Sequence, residues 1–197
     1  MKQFLLVLAL IFVTTFISGC GIQAIPQSQN NVEAAMAEVT NQYKRRSDLI
    51  PNLVNTVKGF AKQEENVLTE VTNARARATG LTLDPKNLKA QDIESFQKAQ
   101  SELSRSLGRL LVVAENYPQL KSDANFRDLQ AQLEGTENRI TVARNRYIVA
   151  IKEFNDLITV PPSSWTNSLF YHFDKKPQFA LEGSEATEVQ KVPEVKF

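Results

Sequence analysis

The sequence predicts an all-α fold, an elongated up-and-down helical bundle with three long helices and a short fourth. Apolar residues recur at steps of three and four over three long segments, which is the period of one helix face. Only 7 of the 197 residues are glycine, a composition that disfavours a turn-rich β-sandwich. The pattern contains no long alternation typical of a strand, so we expect one helical domain with a substantial core.

The first predicted helix has an apolar stripe that runs from Val32 to about Ala78. Thr79-Gly80 offers a C-terminal stop directly after it. An unbroken helix over this stripe would contain about 50 residues and measure about 75 Å. A face of that length stays apolar only when partner helices cover it, so the stripe itself predicts a bundle.

Pro51 lies in the middle of this first stripe, where a proline removes one backbone hydrogen bond and clashes with the preceding turn. Two alternatives reduce that cost. The helix kinks at this point, or Asp48 caps a new helix that has Pro51 in its first turn. Because proline disfavours helical geometry at the residue before it, we expect a kink or a break near Arg46–Ile50.

The second predicted helix has Asp92 as its N-cap and ends near Asn116, because Pro118 follows. The third is capped by Ser122 or Asp123 and closes at Pro161-Pro162. Few residues separate these two helices, so they are expected to run antiparallel and adjacent.

The fourth predicted helix is the short amphipathic segment Ser163–Tyr171, which begins with a serine cap. We expect its Trp165, Leu169 and Phe170 to lie over one end of the bundle. The remaining chain is polar from Asp174 onward. Its last residues form an extended C-terminal tail that is either disordered or docked into a groove by Val195 and Phe197.

The N-terminal segment resembles an export signal. Lys2 is its one charge, and an apolar run covers Phe4–Ile17, which is shorter than the ~20 apolar residues that cross a bilayer. The run leads to Cys20, the single cysteine of the chain, which has no partner for an internal disulfide.

The tetrapeptide Ile17-Ser18-Gly19-Cys20 resembles the lipobox of bacterial lipoproteins. That resemblance implies cleavage between Gly19 and Cys20 and a lipid on Cys20 that attaches the protein to a membrane. An uncleaved membrane helix and an ordinary secreted protein are the alternatives. The predicted organisation is a signal peptide at 1–19, a tether at 20–29, the helical bundle at 30–173 and the tail at 174–197.

Charge and composition exclude several functions. The chain from Cys20 onward has 22 basic residues, after Lys2 is subtracted from 23, and 22 acidic residues. This zero net charge predicts no binding to nucleic acid. His172 is the sole histidine, so the set of nitrogen and sulfur ligands that a zinc site needs is missing, and no cofactor is expected. The sequence has no glycine-rich phosphate loop and no nucleophile elbow, and we expect no enzyme activity.

Two long motifs resemble the LemA family of bacterial envelope proteins. The first is "KRRSDLIPNLVNTVKGFA" at residues 44–61, and the second is "AENYPQLKSDANFRDLQAQLEGTENRITVARNRY" at residues 114–147. The terminal Pro193, Val195 and Phe197 also fit the family's ending, whereas Ile148 replaces a frequent asparagine. The resemblance implies a four-helix bundle in the periplasm or on the outer side of the cytoplasmic membrane. It implies no catalytic role.

A polar set near the first motif is the candidate site. Arg45, Asp48 and Asn52 follow helical steps and share a face if the helix continues. The complete set is Arg45, Arg46, Asp48, Pro51, Asn52 and Asn55, together with Glu137 and Arg144 on the third helix. One interpretation is a docking patch for an envelope protein partner, and the other is a paired polar layer that fixes helix register. A small-molecule binder or an enzyme with a polar site between helices is the alternative function.

Overall fold

The computed structural model describes residues 22–86 and 88–179, and within these ranges the chain is α-helical without a strand. The prediction of an all-α fold is confirmed. In chain order the helices are α1 (Ala24–Phe60), α2 (Glu65–Gly80), α3 (Ala90–Ala114), α4 (Pro118–Ser122), α5 (Ala124–Thr159) and α6 (Ser163–Thr166). A π-helical turn, Asn167–Tyr171, follows directly.

The two longest helices form the body of the molecule. α1 has 37 residues and α5 has 36, so each is about 55 Å long, and they pack against each other along their length. α2 and α3 form a shorter antiparallel pair that packs mainly against one half of this body, and only the start of α3, at Ile93 and Phe96, reaches the other half. The result is a rod with α1, α2, α3 and α5 at one end, the loop end, and mainly α1 and α5 at the other, the N-terminal end.

The break in the first stripe is at Ala61–Glu64, not near Pro51. α1 continues through Pro51, so the expected restart at Asp48 is wrong. Pro51 is on the exposed side of α1, which lets the helix accommodate the ring, and the fully buried Ala61 keeps the stripe continuous across the turn. α2 then ends at Gly80, where the sequence predicted a stop.

The helix boundaries follow local chemistry. Asp123 is the N-cap of α5, and its Oδ1 accepts a hydrogen bond from the Phe126 amide at 2.9 Å. Asp92 is not the N-cap of α3 but its third residue, and its carboxylate accepts from the amide of the N-cap Lys89 at 3.3 Å. α5 ends at Thr159, just before the predicted Pro161-Pro162 stop, and that peptide bond is cis.

The apolar interior is divided into two cores along the rod. The loop-end core includes Ile50, Leu53, Val57, Leu68, Leu103, Leu110 and Phe126. The N-terminal-end core includes Ile25, Val32, Met36, Tyr43, Phe96, Tyr147, Ile151 and Phe154. Burial of this surface is the main force that holds the helices together.

The chain after α6 closes the N-terminal end in place of a further helix pair. Asn167 makes two hydrogen bonds to the backbone of Phe173: its Nδ2 donates to the Phe173 carbonyl and its Oδ1 accepts from the Phe173 amide, each at 3.0 Å. Asn155 holds Lys176 in the same way at 3.0 and 2.9 Å. Phe179 is buried against Tyr147. The tail predicted from residue 174 therefore begins as a docked segment, and Val195 and Phe197 lie outside the described residues.

The predicted tether at 20–29 is too long. α1 begins at Ala24, and Ile25 is fully buried in the N-terminal-end core because the apolar period starts there. Cys20 and the signal segment 1–19 lie outside the described residues. None of the helices described in 22–86 and 88–179 combines the length and the apolar character that a bilayer crossing requires.

Candidate functional site

One buried arginine is the centre of the candidate site. Arg46 lies on the inner face of α1, and only 3% of its side chain is exposed. Its Nη1 donates to Glu137 Oε2 on α5 at 2.8 Å and to Ser104 Oγ on α3 at 2.9 Å. Its Nη2 donates to Gln100 Oε1 on α3 at 2.6 Å. A single guanidinium therefore joins three helices, as its fork of five donors allows.

This arginine lies in a polar layer between the two cores. Tyr43, three residues before Arg46, belongs to the N-terminal-end core, and Ile50, four residues after it, belongs to the loop-end core. The arginine thus occupies the same apolar stripe as its neighbours. Three other buried polar residues lie at this level of the rod: Ser47 on α1, Gln100 on α3 and Thr136 on α5.

The electrostatics of the layer are asymmetric. Arg46 is almost completely buried, whereas 54% of the Glu137 side chain is exposed. The Arg46 guanidinium also lies over the Tyr43 ring, 5.1 Å from its centroid. Desolvation of the cation is thus offset by a half-solvated carboxylate, neutral acceptors and one aromatic face. The arrangement holds a charge in place.

A second unusual contact explains how α1 continues through Pro51. Because proline has no amide hydrogen, the carbonyl of Ser47, four residues earlier, loses its helical donor. Arg75 Nε on α2 donates to that Ser47 carbonyl at 2.8 Å. Pro51 therefore frees an acceptor that binds α2 to α1 next to the polar layer.

The predicted site residues separate into two groups. Arg46 and Glu137 form the ion pair of the layer. Arg45, Asp48, Pro51, Asn52 and Asn55 are exposed on the outside of α1. Arg144 is half-buried near the layer, and its guanidinium lies over the Phe179 ring at 5.5 Å, where it helps to hold the docked segment.

A polar cleft opens beside the layer. It is lined by Tyr43, Arg46, Gln100, Ser101, Ser104, Arg105, Glu137 and Arg144. Three arginines and one carboxylate give the lining an excess of positive charge. Arg46 Nε is buried there without a hydrogen-bond partner among residues 22–86 and 88–179. Tyr147 is not part of the lining, because it packs in the core below.

Two tyrosines have perturbed acidity. Burial raises the pKa of Tyr147, whose hydroxyl has no hydrogen-bond partner within the described part of the chain. At the loop end, a hydrogen bond to Glu64 raises the pKa of Tyr117, and its Oη donates to Glu64 Oε1 at 2.8 Å. Both effects favour the protonated form of the phenol.

Two observations concern possible metal ligands in the described part of the chain. Among residues 22–86 and 88–179 no three His, Cys, Asp or Glu side chains come together as a metal site. His172 is exposed and ends the π-helical turn with a left-handed backbone, at a φ of 56°.

Sequence reasoning missed several residues of the site. Gln100 and Ser104 lie among the apolar residues of the second stripe and were not selected from the sequence. A glutamine at a position of an apolar stripe is nevertheless a signal of a polar layer. Arg75, Asn155 and Asn167 had no local signal, because their acceptors are 28, 21 and 6 residues away and are all backbone groups.

Taken together, the fold and the site define a class: an all-α rod whose two apolar cores are separated by a buried arginine layer. A family model described as the LemA family matches residues 35–197, a range that includes both motifs and the whole layer. The chain belongs to the LemA family. Among curated proteins it is similar to Protein LemA of Metamycoplasma hominis, with 22% identity over 163 residues, 83% of this chain and 69% of that protein.

Proposed function

We propose that this protein is a lipid-anchored, non-catalytic docking rod of the bacterial envelope, facing the periplasm or the extracytoplasmic side of a membrane. The observation that carries the proposal is the start of α1 at Ala24, four positions after Cys20. A lipid on Cys20 would therefore pass directly into a rigid rod about 55 Å long. Such a body holds a binding surface at a fixed distance from the membrane.

The polar layer supports a structural role for the buried residues and leaves the exposed ones for docking. Arg46 and Glu137 are occupied in joining α1, α3 and α5. Arg45, Asp48 and Asn52 lie exposed on one side of α1, with both charges and an amide available to a protein partner. Affinity for a partner would reside in this exposed face, and the layer beneath would hold its shape.

Lipid attachment is tested by labelling cells with a radioactive fatty acid. The Cys20→Ser variant is expected to lose the label and to accumulate as a precursor that retains residues 1–19. Gly21→Ser is the matched control, because it changes the adjacent residue and keeps the thiol. Label retained by Cys20→Ser would refute the anchor.

Docking is tested with a photo-crosslinking residue in place of Asn52, on the exposed face of α1. The control carries the same residue in place of Lys152, which is exposed on α5. A discrete crosslinked band at position 52 that is absent at 152 supports the proposed face. Identical patterns from both positions would contradict it.

The cleft beside the layer favours a second function, the binding of a small anion. Its lining has three arginines against one glutamate, and Arg46 Nε is buried without a partner among the described residues. Phosphate or a dicarboxylate is expected to raise the melting temperature of the wild type, and Arg105→Ser should reduce that shift. Arg109→Ser is the control, since Arg109 pairs with Glu70 outside the cleft. An unchanged melting temperature of the wild type would remove this function.

A further inference from the structure

The short segment after α5 exposes its large apolar side chains. Trp165 and Leu169 are each 70% exposed and Phe170 is 63% exposed, although the sequence predicted that they would cover one end of the bundle. That expectation is wrong, because α6 and the π-helical turn place these side chains away from the core. Three adjacent exposed residues of this size mark an interaction surface. We call Trp165, Leu169 and Phe170 the aromatic patch.

The patch belongs to a stretch of chain without formal charge. Residues 159–173, "TVPPSSWTNSLFYHF", contain no Asp, Glu, Lys or Arg, and Val160 within it is also exposed. A protein partner surface normally has a polar, charged rim around its apolar centre. An uncharged segment rich in Trp, Phe, Tyr, Ser and Asn is instead typical of the membrane interface, where amphipathic rings lie at headgroup depth.

A hydrogen bond joins the segment that contains the patch to the start of the described chain. Tyr171 Oη donates to the Ile22 carbonyl at 2.6 Å, across 149 residues of sequence. Ile22 lies two positions after Cys20, so at most about 7 Å of extended chain separates it from the cysteine. Interfacial helices insert to a depth of about 5–10 Å. A lipid on Cys20 would therefore hold the start of the described chain, and the segment bonded to it, within that distance of the bilayer.

We propose that the aromatic patch inserts into the lipid surface beside the Cys20 anchor, as a second membrane contact. This inference rests on the proposed lipid anchor for its location. The anchor keeps the patch at a high effective concentration at the bilayer, so that a contact too weak to bind alone becomes occupied. Two contact points also fix the tilt of the rod, whereas a lipid alone would let it rotate freely about the tether.

Trp165 is the only tryptophan of the chain and reports directly on this contact. The full-length protein, extracted from membranes with its native N-terminus, is reconstituted into phosphatidylcholine vesicles with and without brominated acyl chains. We expect brominated lipid to quench about half of the Trp165 emission, because an interfacial side chain at ~5–10 Å lies within reach of the acyl chains. The emission should also shift to the blue relative to protein in solution.

The matched control moves the probe to the loop end. Trp165→Phe combined with Val112→Trp places the single tryptophan at a position that is 65% exposed in the wild type, near the opposite end of the rod. Its emission should remain red and unquenched on the same vesicles. Equal quenching at both positions would mean that the rod lies flat on the bilayer, and it would overturn the proposal.

The outcomes separate this inference from the lipid anchor. Protein that sediments with vesicles while Trp165 stays unquenched would overturn the patch and leave the anchor intact. Quenched Trp165 in a protein whose mass shows no lipid on Cys20 would support the patch and refute the anchor. Iodide accessibility is measured without detergent on a mature-length chain that begins at residue 20 and has Cys20→Ser. Trp165 that is shielded from iodide in this chain is covered by protein, and this result would also overturn the proposal.

A variant provides an independent measurement. Leu169→Ser with Phe170→Ser removes apolar area from exposed positions, so the fold is expected to persist, as far-UV circular dichroism can verify. In a mature-length chain that begins at residue 20 and has Cys20→Ser, both the lipid and the apolar segment 1–19 are missing, and this change should weaken vesicle binding by at least about tenfold. Unchanged binding would count against insertion of the patch.

Discussion

The polar layer gives the sharpest quantitative prediction. Replacement of Arg46 by Met keeps an unbranched stem of similar shape but removes the hydrogen bonds to Glu137, Ser104 and Gln100. It also leaves the buried side-chain oxygen Oε1 of Gln100 without its Arg46 donor, which costs about 1–3 kcal/mol. We expect Arg46→Met to lower the free energy of unfolding by about 2–4 kcal/mol.

The ion pair itself accounts for a part of that loss. Two unit charges about 4 Å apart attract each other by about 4 kcal/mol at an effective dielectric constant of 20. Since half of the Glu137 side chain is exposed, we discount this figure to about 2 kcal/mol. Glu137→Gln should therefore cost about 1–2 kcal/mol in the wild type and almost nothing in the Arg46→Met background, a coupling of about 1.5 kcal/mol.

A matched pair joins the same two helices at the surface. Arg146 on α5 donates to Glu38 on α1 at 2.6 Å, with side chains 63% and 37% exposed. Arg146→Met and Glu38→Gln should show a coupling of at most about 0.5 kcal/mol. The assay is urea denaturation followed at 222 nm for the four proteins of each cycle. A coupling at Arg46–Glu137 no larger than at Arg146–Glu38 would refute the reasoning.

Three further predictions concern Arg75 and Tyr147. Arg75→Met should lower the free energy of unfolding by about 1–2 kcal/mol in the wild type. In a Pro51→Ala background the loss should be under about 1 kcal/mol, because the amide of residue 51 can then donate to the Ser47 carbonyl. Equal losses in the two backgrounds, measured by urea denaturation, would contradict this role of Arg75. Tyr147→Phe should raise stability by up to about 1–2 kcal/mol, because it removes a buried hydroxyl without a partner in the described chain, and a loss of stability would show a missing partner. Burial raises the pKa of Tyr147 in the folded state, so the unfolded state loses this proton at a lower pH. The free energy of unfolding of the wild type should therefore fall as pH rises above about 10, and it should fall less steeply in Tyr147→Phe.

The motif near Pro51 has a buried face and an exposed face on the same stretch of α1. The buried part of the motif near Pro51 fixes three helices through Arg46 and Arg75. The exposed part, Arg45, Asp48 and Asn52, faces solvent on the same stretch of α1. If the exposed face binds a partner as proposed, substitutions on the two faces should have separate effects on stability and on partner binding.

The sequence by itself determined the features that depend on local chemistry. The helical stripes, the cap at Asp123, the stop at Gly80 and the end of α5 before Pro161-Pro162 all follow from residues within a turn of each other. The polar set predicted from the sequence included both Arg46 and Glu137, but the shared face was expected at Arg45, Asp48 and Asn52, and the sequence did not single out Arg46 as the partner of Glu137. The lipid on Cys20 and the localisation to the cell envelope stay predictions.

Only the tertiary structure decided which polar residues are inside. Arg45 and Arg46 are identical and adjacent in sequence, yet one is exposed and the other buried, because a helix turns by about 100° per residue and only Arg46 falls between the cores. Its partners are 54, 58 and 91 residues away, a separation that no local pattern reports. The turn at Ala61–Glu64, the docking of residues 173–179 and the exposure of Trp165 likewise depend on which surfaces distant helices left uncovered.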